Sequence, residues 1–500
     1  MGTSIDLIFD YIISRSIIKL NFITGDAGER EMENHTSDYR VEKDSIGTKD
    51  VPANVYYGVQ SLRAAENFPI TGLRMNPELI RSLAYIKKAA ALTNLEAGLL
   101  NERIANAIVR ACDEILAGKL REQFIVDPVQ GGAGTSINMN ANEVIANRAI
   151  EILGGKKGDY TLVNPNDDVN CGQSTNDVYP SCGKMTLHTF ALRLLPELQR
   201  LIDAMDDKAH EFDAVVKMGR TQLQDAVPIR LGQEFAAYAA VLRREYRRID
   251  RAREEQLLLN LGGTAVGTGI NAAPAFVRSV VPILAEMTGI PFAQSDNLID
   301  ATQNLDCYVT LSSALKSCGV SLSKICNDLR LMSSGPRDGL GEINLPARQN
   351  GSSIMPGKVN PVIAEVVNQI AFRLIGFDTT VTMAAEAGQL ELNAFEPVIF
   401  DSLCQGMAQL TNGLRTLTDH CVSGIVANVA LCREEINRSV GIVTALCPLI
   451  GYDAACSLAK ESLRTRVPVG QLAVERGLLT AEQAEAALDP MRMTIIPENE

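Results

Sequence analysis

The amino-acid sequence predicts a mainly α-helical protein of 500 residues. Apolar side chains recur three or four residues apart over long stretches, a spacing that places them on one face of an α-helix. Several of these stretches carry few charged residues on any face, which is typical of helices that are covered on several sides. The sequence shows no alternation of strand and helix patterns, no internal repeat and no low-complexity tract. We therefore expect long helices that pack side by side in a bundle.

The stretch from Gln233 to Gln256 has the pattern of an amphipathic helix. Its apolar residues form one stripe and most of its other residues are charged, so we expect it to bury one face. The stripe consists of Phe235, Ala239, Leu242, Tyr246 and Ile249.

Two further stretches, Cys307 to Met332 and Val362 to Met383, have few charges and many small residues. Pro361 comes just before the second stretch, and proline is favoured in the first turn of a helix. Because such helices must be covered on several sides, we expect the bundle to continue into neighbouring subunits. The apolar stripe of the first stretch is Leu311, Leu315, Cys318, Leu322, Ile325 and Leu329. Shorter helical stretches are expected on either side, within residues 76–117 and 427–488.

The first 38 residues are expected to be an N-terminal extension of unknown role. Their apolar run, IDLIFDYIISRSIIKLNFI, contains Asp6, Asp10, Arg15 and Lys19. These charges leave too short an apolar stretch for a membrane span, and acidic residues within the run argue against a signal peptide.

The net charge of −13 argues against a protein that binds nucleic acid or an anionic membrane, since either partner requires a basic surface. The charge still permits a small anionic substrate, because the charge of a pocket can oppose that of the whole chain. The eleven cysteines include no CxxC pair. An odd number of scattered cysteines predicts reduced thiols and a cytoplasmic location.

Four segments interrupt the helical pattern with many Gly, Ser, Thr and Asn residues. They are GGAGTSINMNANEVIANRA (131–149), NPNDDVNCGQSTNDVYP (164–180), GRTQLQDAVP (219–228, expected at the start of a long helix) and GSSIMPGKVNP (351–361). Together they offer neutral hydrogen-bond donors and one cation, a set suited to holding a small dianion such as a dicarboxylate. The candidate residues are Thr135, Ser174, Thr175, Asn176, Thr221, Gln222, Ser352, Ser353, Lys358 and Asn360.

Other kinds of site fit the sequence poorly. The four histidines lie outside the polar segments, and none has metal-ligand spacing with a cysteine or an acid. GSSIMPGK has one residue too many for a phosphate-binding loop, and LGGTAVGTG does not match a dinucleotide fingerprint. We expect no metal and no required cofactor. Activation by a divalent cation is left open.

The four segments, in this order, resemble the signature motifs of the aspartase/fumarase superfamily. The similarity extends from about Tyr39 to about Met491. The resemblance implies three mainly helical domains: an N-terminal domain (39–174), a central long five-helix bundle (175–428) and a small C-terminal domain (429–500). It also implies a homotetramer that forms through the bundles, with each active site shared between three subunits.

The segments most resemble those of the ammonia-lyases that convert aspartate into fumarate and ammonia. Ser352 would then be the general base, on a mobile loop, and would form an aci-carboxylate intermediate with two negative charges on one carboxyl group. The resemblance also implies which other residues touch the substrate. Thr135, Ser174, Thr175 and Ser353 would surround the β-carboxylate; Lys358 and Asn360 would hold the α-carboxylate; Asn176, Thr221 and Gln222 would lie near the amino group; Glu365 would support the loop, although an exposed helix residue is an equal expectation for it.

Two residues depart from the motifs of the superfamily and bear on the expected activity. Gln222 stands where fumarase-type members carry histidine, which favours an ammonia-lyase over the first alternative, a class II-type fumarate hydratase. Asn164 replaces a histidine in a segment linked to a second anion site, so the function of any such site is left open.

A non-catalytic structural member is another alternative, but Ser352, Lys358 and Asn360 are intact. Superfamily lyases acting on argininosuccinate or adenylosuccinate would need a larger pocket and a histidine in the motifs.

Overall fold

The computed structural model describes residues 38–495, so the predicted extension lies, apart from Asp38, outside the described residues. The helices are α1 (Val59–Asn67), α2 (Pro77–Glu96), α3 (Glu102–Leu116), α4 (Thr135–Ile152), α5 (Thr175–Glu211), α6 (Leu231–Glu254), α7 (Pro274–Thr288), α8 (Leu298–Gln303), α9 (Asp306–Met332), α10 (Val362–Glu386), α11 (Glu396–His420), α12 (Val429–Arg438), α13 (Cys447–Ile450), α14 (Tyr452–Thr465), α15 (Val469–Glu475) and α16 (Ala481–Ala487). The strands are β1 (Tyr39–Asp44), β2 (Gly47–Pro52), β3 (Val216–Thr221), β4 (Gln224–Arg230), β5 (Leu258–Leu259), β6 (Ala293–Gln294), β7 (Ile343–Asn344) and β8 (Val426–Ala427), which form four two-stranded sheets.

Five long helices form a closed bundle in which α5 packs on α6, α6 on α9, α9 on α10, α10 on α11, and α11 on α5. The predicted mainly α fold with a central five-helix bundle is therefore confirmed. The predicted stripe of α9 is wholly buried, as are four of the five stripe residues of α6; Tyr246 is half-buried. The division into three domains stays a prediction.

Contacts along the helices fix their directions. Arg415 pairs with Glu197 and, about one turn further along both helices, Asp419 pairs with Arg200, so α11 runs parallel to α5. Asp378 pairs with Lys316 near the middle of α9, whereas Asn368 bonds with Arg330 near its end, so α10 runs antiparallel to α9. We call the end of the bundle at which α5, α9 and α11 begin the first end. The second end is where α6 and α10 begin.

The polar segment 131–149 is mostly helical and not a loop, since α4 begins at Thr135. Its asparagines are buried and bind backbone groups of neighbouring segments: the Asn140 amide donates to the Gln123 carbonyl oxygen, and the Asn147 amide donates to the Tyr56 carbonyl oxygen. Burial of a polar side chain is tolerated when hydrogen bonds satisfy it. The many asparagines therefore hold loops against a helix.

The segment 219–228 also differs from expectation, because it forms most of a β-hairpin and not the start of a helix. Strands β3 and β4 pair antiparallel, and the turn between them consists of Gln222 and Leu223, with φ of 53° and 63°. Two residues with positive φ are typical of the turn that matches the twist of a hairpin. Neither residue is glycine, which explains why the sequence did not indicate this turn.

The outer face of α10 is apolar and exposed. Phe372 and Met383 are 62% and 61% exposed, and Val366 and Ile375 are also exposed. Monomeric proteins rarely leave large contiguous apolar surfaces in water. This face fits the expectation that other subunits cover the bundle. Within residues 38–495, no helix is long and apolar enough to cross a membrane.

A buried carboxyl group lies at the first end of the bundle. Glu396 is the first residue of α11 and only 3% exposed, and burial raises its pKa to about 8, with an opposing attraction from Lys184. Between its unfolded pKa of about 4.5 and this value, the folded protein keeps a proton that the unfolded chain releases. Stability therefore falls as the pH rises through this interval.

Replacing Glu396 by glutamine should remove this pH dependence, because glutamine resembles the protonated acid. We expect Glu396→Gln to be within about 1 kcal/mol of the unsubstituted protein at pH 5, and more stable by about 5 kcal/mol at pH 9. Urea unfolding of both proteins at the two pH values measures this. The exposed Glu391, replaced in the same way, provides the control. An equal difference at both pH values would contradict the prediction.

Candidate active site

Two of the polar segments meet at the first end of the bundle. The start of α4 lies so close to α5 that a Cβ on Gly134 would stand 2.2 Å from the Tyr179 ring, and Gly134 has a φ of +88° that favours glycine. One turn into α4, the Asn138 amide donates to the Thr175 hydroxyl oxygen at 3.2 Å. The structure thus brings the helix start at Thr135 near the start of α5.

Ser174 caps α5. Its hydroxyl oxygen accepts from the backbone N–H of Asn176 at 3.2 Å, and its own N–H donates to the Asp177 carboxylate at 2.9 Å. Asp177 is buried and also accepts from the N–H groups of Gly262 and Thr264. Burial raises the pKa of Asp177, and these backbone donors oppose the rise. This reciprocal cap fixes the backbone on which Ser174 and its neighbours stand.

The remaining predicted residues here have local partners. The Thr135 hydroxyl donates to the carbonyl oxygen of Gly132 at 2.7 Å, and the Asn176 amide donates to the carbonyl oxygen of Ala265 at 2.8 Å. Thr135 is exposed, whereas Ser174, Thr175 and Asn176 are half-buried. The first end therefore presents hydroxyl and amide groups at a partly open surface.

The sequence interpretation missed a buried lysine behind this group. Lys87 of α2 is 0% exposed, and its Nζ donates to Asn170 Oδ1 at 2.8 Å and to Gln173 Oε1 at 2.9 Å. Burial lowers the pKa of Lys87 to about 7, although the nearby Asp177 opposes this. Lys87 is buried and the next residue, Lys88, is half-buried, but nothing in the local sequence pattern distinguishes them. No sequence signal therefore marked Lys87 as part of the site.

The segment 351–361 lies at the second end, as a loop that leads into α10. The Gly351 N–H donates to the Lys358 carbonyl oxygen at 2.9 Å, and the Asn360 amide donates to the Gly351 carbonyl oxygen at 2.8 Å. A Cβ on Gly351 would stand 2.2 Å from the Lys358 oxygen, so this closure requires glycine. The two bonds close the loop on itself.

Ser352 lies inside this loop and receives two hydrogen bonds. Its Oγ accepts from the backbone N–H of Ile354 at 3.2 Å and of Met355 at 3.0 Å. Donors aimed at an oxygen favour its negatively charged form. Ser353 and Lys358 are exposed on the same loop. The loop therefore presents a serine oxygen supported by donors, close in sequence to the exposed side chain of Lys358.

Glu365 lies in the first turn of α10, four residues after Pro361. Its backbone N–H donates to the Pro361 carbonyl oxygen, and its side chain is half-buried. Within the part of the chain that the structure describes, its carboxylate makes no hydrogen bond to the loop. The role of Glu365 stays a prediction.

Thr221 and Gln222 lie at the tip of the β3–β4 hairpin, also at the second end, and both are exposed. A buried ion cluster anchors strand β3 of this hairpin. Glu342 is 0% exposed and pairs with Arg220 and with Lys217, the latter at 2.9 Å. Burial alone would lower the pKa of Lys217, but two carboxylates, including Glu342, outweigh it and raise the pKa. Glu342 immediately precedes β7, so the cluster connects the hairpin to the chain that continues into the Ser352 loop.

The predicted residues are therefore held at opposite ends of one bundle. Helix α5 has 37 residues, begins at the Ser174 cap, and ends just before the hairpin that carries Thr221. At 1.5 Å per residue this helix is about 55 Å long. A small dicarboxylate cannot touch both ends. The structure brings Thr135, Ser174, Thr175 and Asn176 together at one end, and leaves Thr221 and Gln222, and Ser352, Ser353, Lys358 and Asn360, at the other.

Among residues 38–495, no group of three or more His, Cys, Asp or Glu side chains is arranged to hold a metal ion.

The second polar segment contains a short π-helical turn, Pro165–Val169, capped by the Asn164 side chain, which accepts from the N–H groups of Asn166 and Asp167.

Comparison with known proteins identifies the class. Residues 47–376 match the Lyase family, and residues 442–495 match the family described as the fumarase C C-terminus. The first match covers more than half of the chain. The chain therefore belongs to this lyase family and is an enzyme, and its resemblance to the aspartase/fumarase superfamily is confirmed.

Within the class, the chain is similar to aspartate ammonia-lyases. That of Bacillus subtilis is 54% identical over 467 residues, 93% of this chain and 98% of the relative. That of Escherichia coli is 49% identical over 457 residues, 91% of this chain and 95% of the relative. Among solved structures, a fumarate lyase:delta crystallin from Brucella melitensis bound to cobalt has a TM-score of 0.89 at 50% identity, covering 92% of this chain and all of that one. A class II fumarase from Schistosoma mansoni has a TM-score of 0.88 at 36% identity, covering 91% of this chain and 99% of that one.

Proposed function

We propose that this lyase deaminates L-aspartate reversibly to fumarate and ammonia. Its similarity to aspartate ammonia-lyases, at 49–54% identity over at least 91% of the chain, supports this substrate. The chemistry of the candidate substrate-binding residues agrees with it, because they are neutral donors together with the cation of Lys358, and none of them is a carboxylate that would repel a dianion. The observation that carries the mechanism is the pair of backbone N–H groups on Ser352 Oγ.

The active site is assembled between subunits of a homotetramer, with contributions from three chains. The separation of about 55 Å along α5 supports this arrangement, because the candidate residues of one chain cannot meet around one substrate. The exposed apolar face of α10 supports association through the bundles. Antiparallel packing of two bundles would bring the first end of one chain against the second end of another.

Ser352 is the general base. Its alkoxide takes a proton from the carbon next to the β-carboxylate, and the electron pair moves into that carboxylate to form the aci-carboxylate. The intermediate then forms the carbon–carbon double bond of fumarate, breaks the carbon–nitrogen bond, and releases ammonia. A serine alkoxide needs stabilisation at neutral pH, and the N–H groups of Ile354 and Met355 supply it.

The other residues bind and orient the substrate. Donors around the β-carboxylate stabilise the charge that develops there, while the α-carboxylate clamp holds the substrate in position. The glycines of the loop let it close over the bound molecule. The assignments are Thr135, Ser174, Thr175 and Ser353 to the β-carboxylate, Lys358 and Asn360 to the α-carboxylate, and Asn176, Thr221 and Gln222 to the region of the amino group, with Glu365 supporting the loop.

No metal or other cofactor is required in this mechanism, and a divalent cation would act only as an activator. The enzyme works in the cytoplasm and binds neither nucleic acid nor membranes; its net charge of −13 agrees with this.

The second candidate function is fumarate hydration. The similarity in fold to a class II fumarase favours it, but the 36% identity to that protein is well below the identity to the ammonia-lyases. Gln222 cannot titrate, whereas its carbonyl oxygen can accept a hydrogen bond from an ammonium group. The hydratase is therefore the weaker candidate.

Ultraviolet absorbance of fumarate separates the two candidates. With the purified protein we expect absorbance to rise with L-aspartate and to stay flat with L-malate. A chelator should leave at least part of the aspartate activity, because no step uses a metal. A rise with malate alone would contradict the ammonia-lyase, and complete loss on chelation with recovery on adding metal would contradict the cofactor proposal.

Replacing Ser352 by alanine tests the base. We expect kcat to fall about 10³-fold, because the proton acceptor is removed, while the oligomeric state stays unchanged. Absorbance kinetics and size-exclusion chromatography measure the two quantities. Ser457→Ala, at an exposed serine of α14, serves as the control and should keep full activity. If Ser352→Ala retained normal turnover, Ser352 would not be the base.

A further inference from the structure

A chain of buried side chains determines which way the Thr175 hydroxyl points. It begins at Lys87, whose ammonium group can only donate hydrogen bonds. Since Lys87 Nζ lies 2.8 Å from Asn170, the Asn170 amide must present its oxygen to the lysine. A neutral amine would still have two hydrogens for its two acceptors, and the Asn170 amide nitrogen itself donates to the Gln173 carbonyl oxygen at 3.2 Å, so this polarity does not depend on the charge of Lys87.

The polarity continues from Asn170 to α4. Asn170 Oδ1 also faces the amide nitrogens of Asn138, at 3.1 Å, and Asn142, at 3.2 Å. Because this oxygen is fixed as an acceptor, both asparagines must present N–H groups to it. Asn138 and Asn142 are at most 1% exposed, so water has little access to replace these bonds.

The last bond reaches the candidate site. The Asn138 amide nitrogen has two hydrogens, and its second acceptor is Thr175 Oγ1 at 3.2 Å. The Thr175 oxygen therefore receives a hydrogen bond and must direct its own hydrogen elsewhere. Within residues 38–495 this hydrogen has no acceptor, and Thr175 is half-buried at the edge of the site.

We propose that Asn138 is a positioning residue that turns the Thr175 hydroxyl into a donor for the substrate β-carboxylate, and that Asn170 and Lys87 fix the orientation of Asn138. This inference rests on the proposed function, because it takes the carboxylate as the acceptor that the site receives. A donor whose direction is set before the substrate arrives loses little free energy to reorientation when charge develops.

A double-mutant cycle tests the inference. Asn138→Leu removes the N–H that Thr175 accepts, and Thr175→Val removes the hydroxyl while keeping the shape of the side chain. We expect Thr175→Val to lower kcat/KM for aspartate about 100-fold and Asn138→Leu to lower it about 30-fold. In the Thr175→Val background, Asn138→Leu should lower it less than about threefold, because its effect acts through the missing hydroxyl.

Asn142→Leu is the matched control, since Asn142 lies one turn further along α4, is equally buried and donates to the same oxygen, yet does not reach Thr175. It should reduce stability but leave kcat/KM within about threefold. If Asn138→Leu does not fold, the nearly isosteric Asn138→Asp replaces it. Its carboxylate would accept from Thr175 and draw the hydrogen away from the substrate, so the same loss and the same coupling are expected.

The outcomes separate the inference from the function. Multiplicative losses in the cycle, or an equal loss of kcat/KM in Asn142→Leu, would overturn the positioning role while leaving the lyase intact. Absence of aspartate turnover in the unsubstituted protein would overturn the proposed function and this inference with it.

Discussion

The length of the bundle helices is the constraint on which the site depends. A helix rises 1.5 Å per residue, so the 37 residues of α5 hold Ser174 and the β3–β4 hairpin about 55 Å apart. The intrahelical hydrogen bonds do not allow this distance to shorten. One chain can therefore offer half of a dicarboxylate site at each end of its bundle, and the packing of bundles determines which halves meet. The exposed apolar face of α10 is related to the same constraint. If the chains join through this face, its packing also determines which first end lies beside which second end.

The two ends are built differently. The first end is held by a preformed network, in which the Asp177 cap and the Lys87–Asn170–Asn138 chain fix backbone and side-chain directions. At the second end, Ser352 stands on an exposed loop closed by two hydrogen bonds. The buried Glu342 ion cluster anchors strand β3 of the neighbouring hairpin. Under the proposed function, a fixed group of donors and an exposed loop would be complementary, since the donors need a fixed geometry and the substrate needs a way in.

Much of the fold could be predicted from the sequence, because helix periodicity is a local property. The stripe of α9 and the start of α10 after Pro361 follow from spacing and from proline. The hairpin at Gln222 could not be predicted, since its positive-φ residues are not glycine. The helical conformation of 135–149 was also missed, because the partners that satisfy its asparagines lie far away in sequence.

The same limit applies to the candidate site. Residues in the recognisable motifs, such as Ser352, could be named from the sequence and from the resemblance. Lys87, Asn138 and Glu342 matter through burial and through partners on other elements, and these are properties of the folded chain alone. The separation of the site into two ends likewise becomes visible only when the direction of each helix is known.

Complementation between two inactive variants tests most directly the claim that each site takes its two ends from different chains. Thr175→Val damages the first end and Ser352→Ala the second, and the two proteins are dissociated, mixed in equal amounts and reassembled. Random assembly should restore about one quarter of the unsubstituted activity, because half of the first ends and half of the second ends are intact and they combine independently. A mixture no more active than the separate variants would show that both ends of a site come from one chain, and would contradict the account.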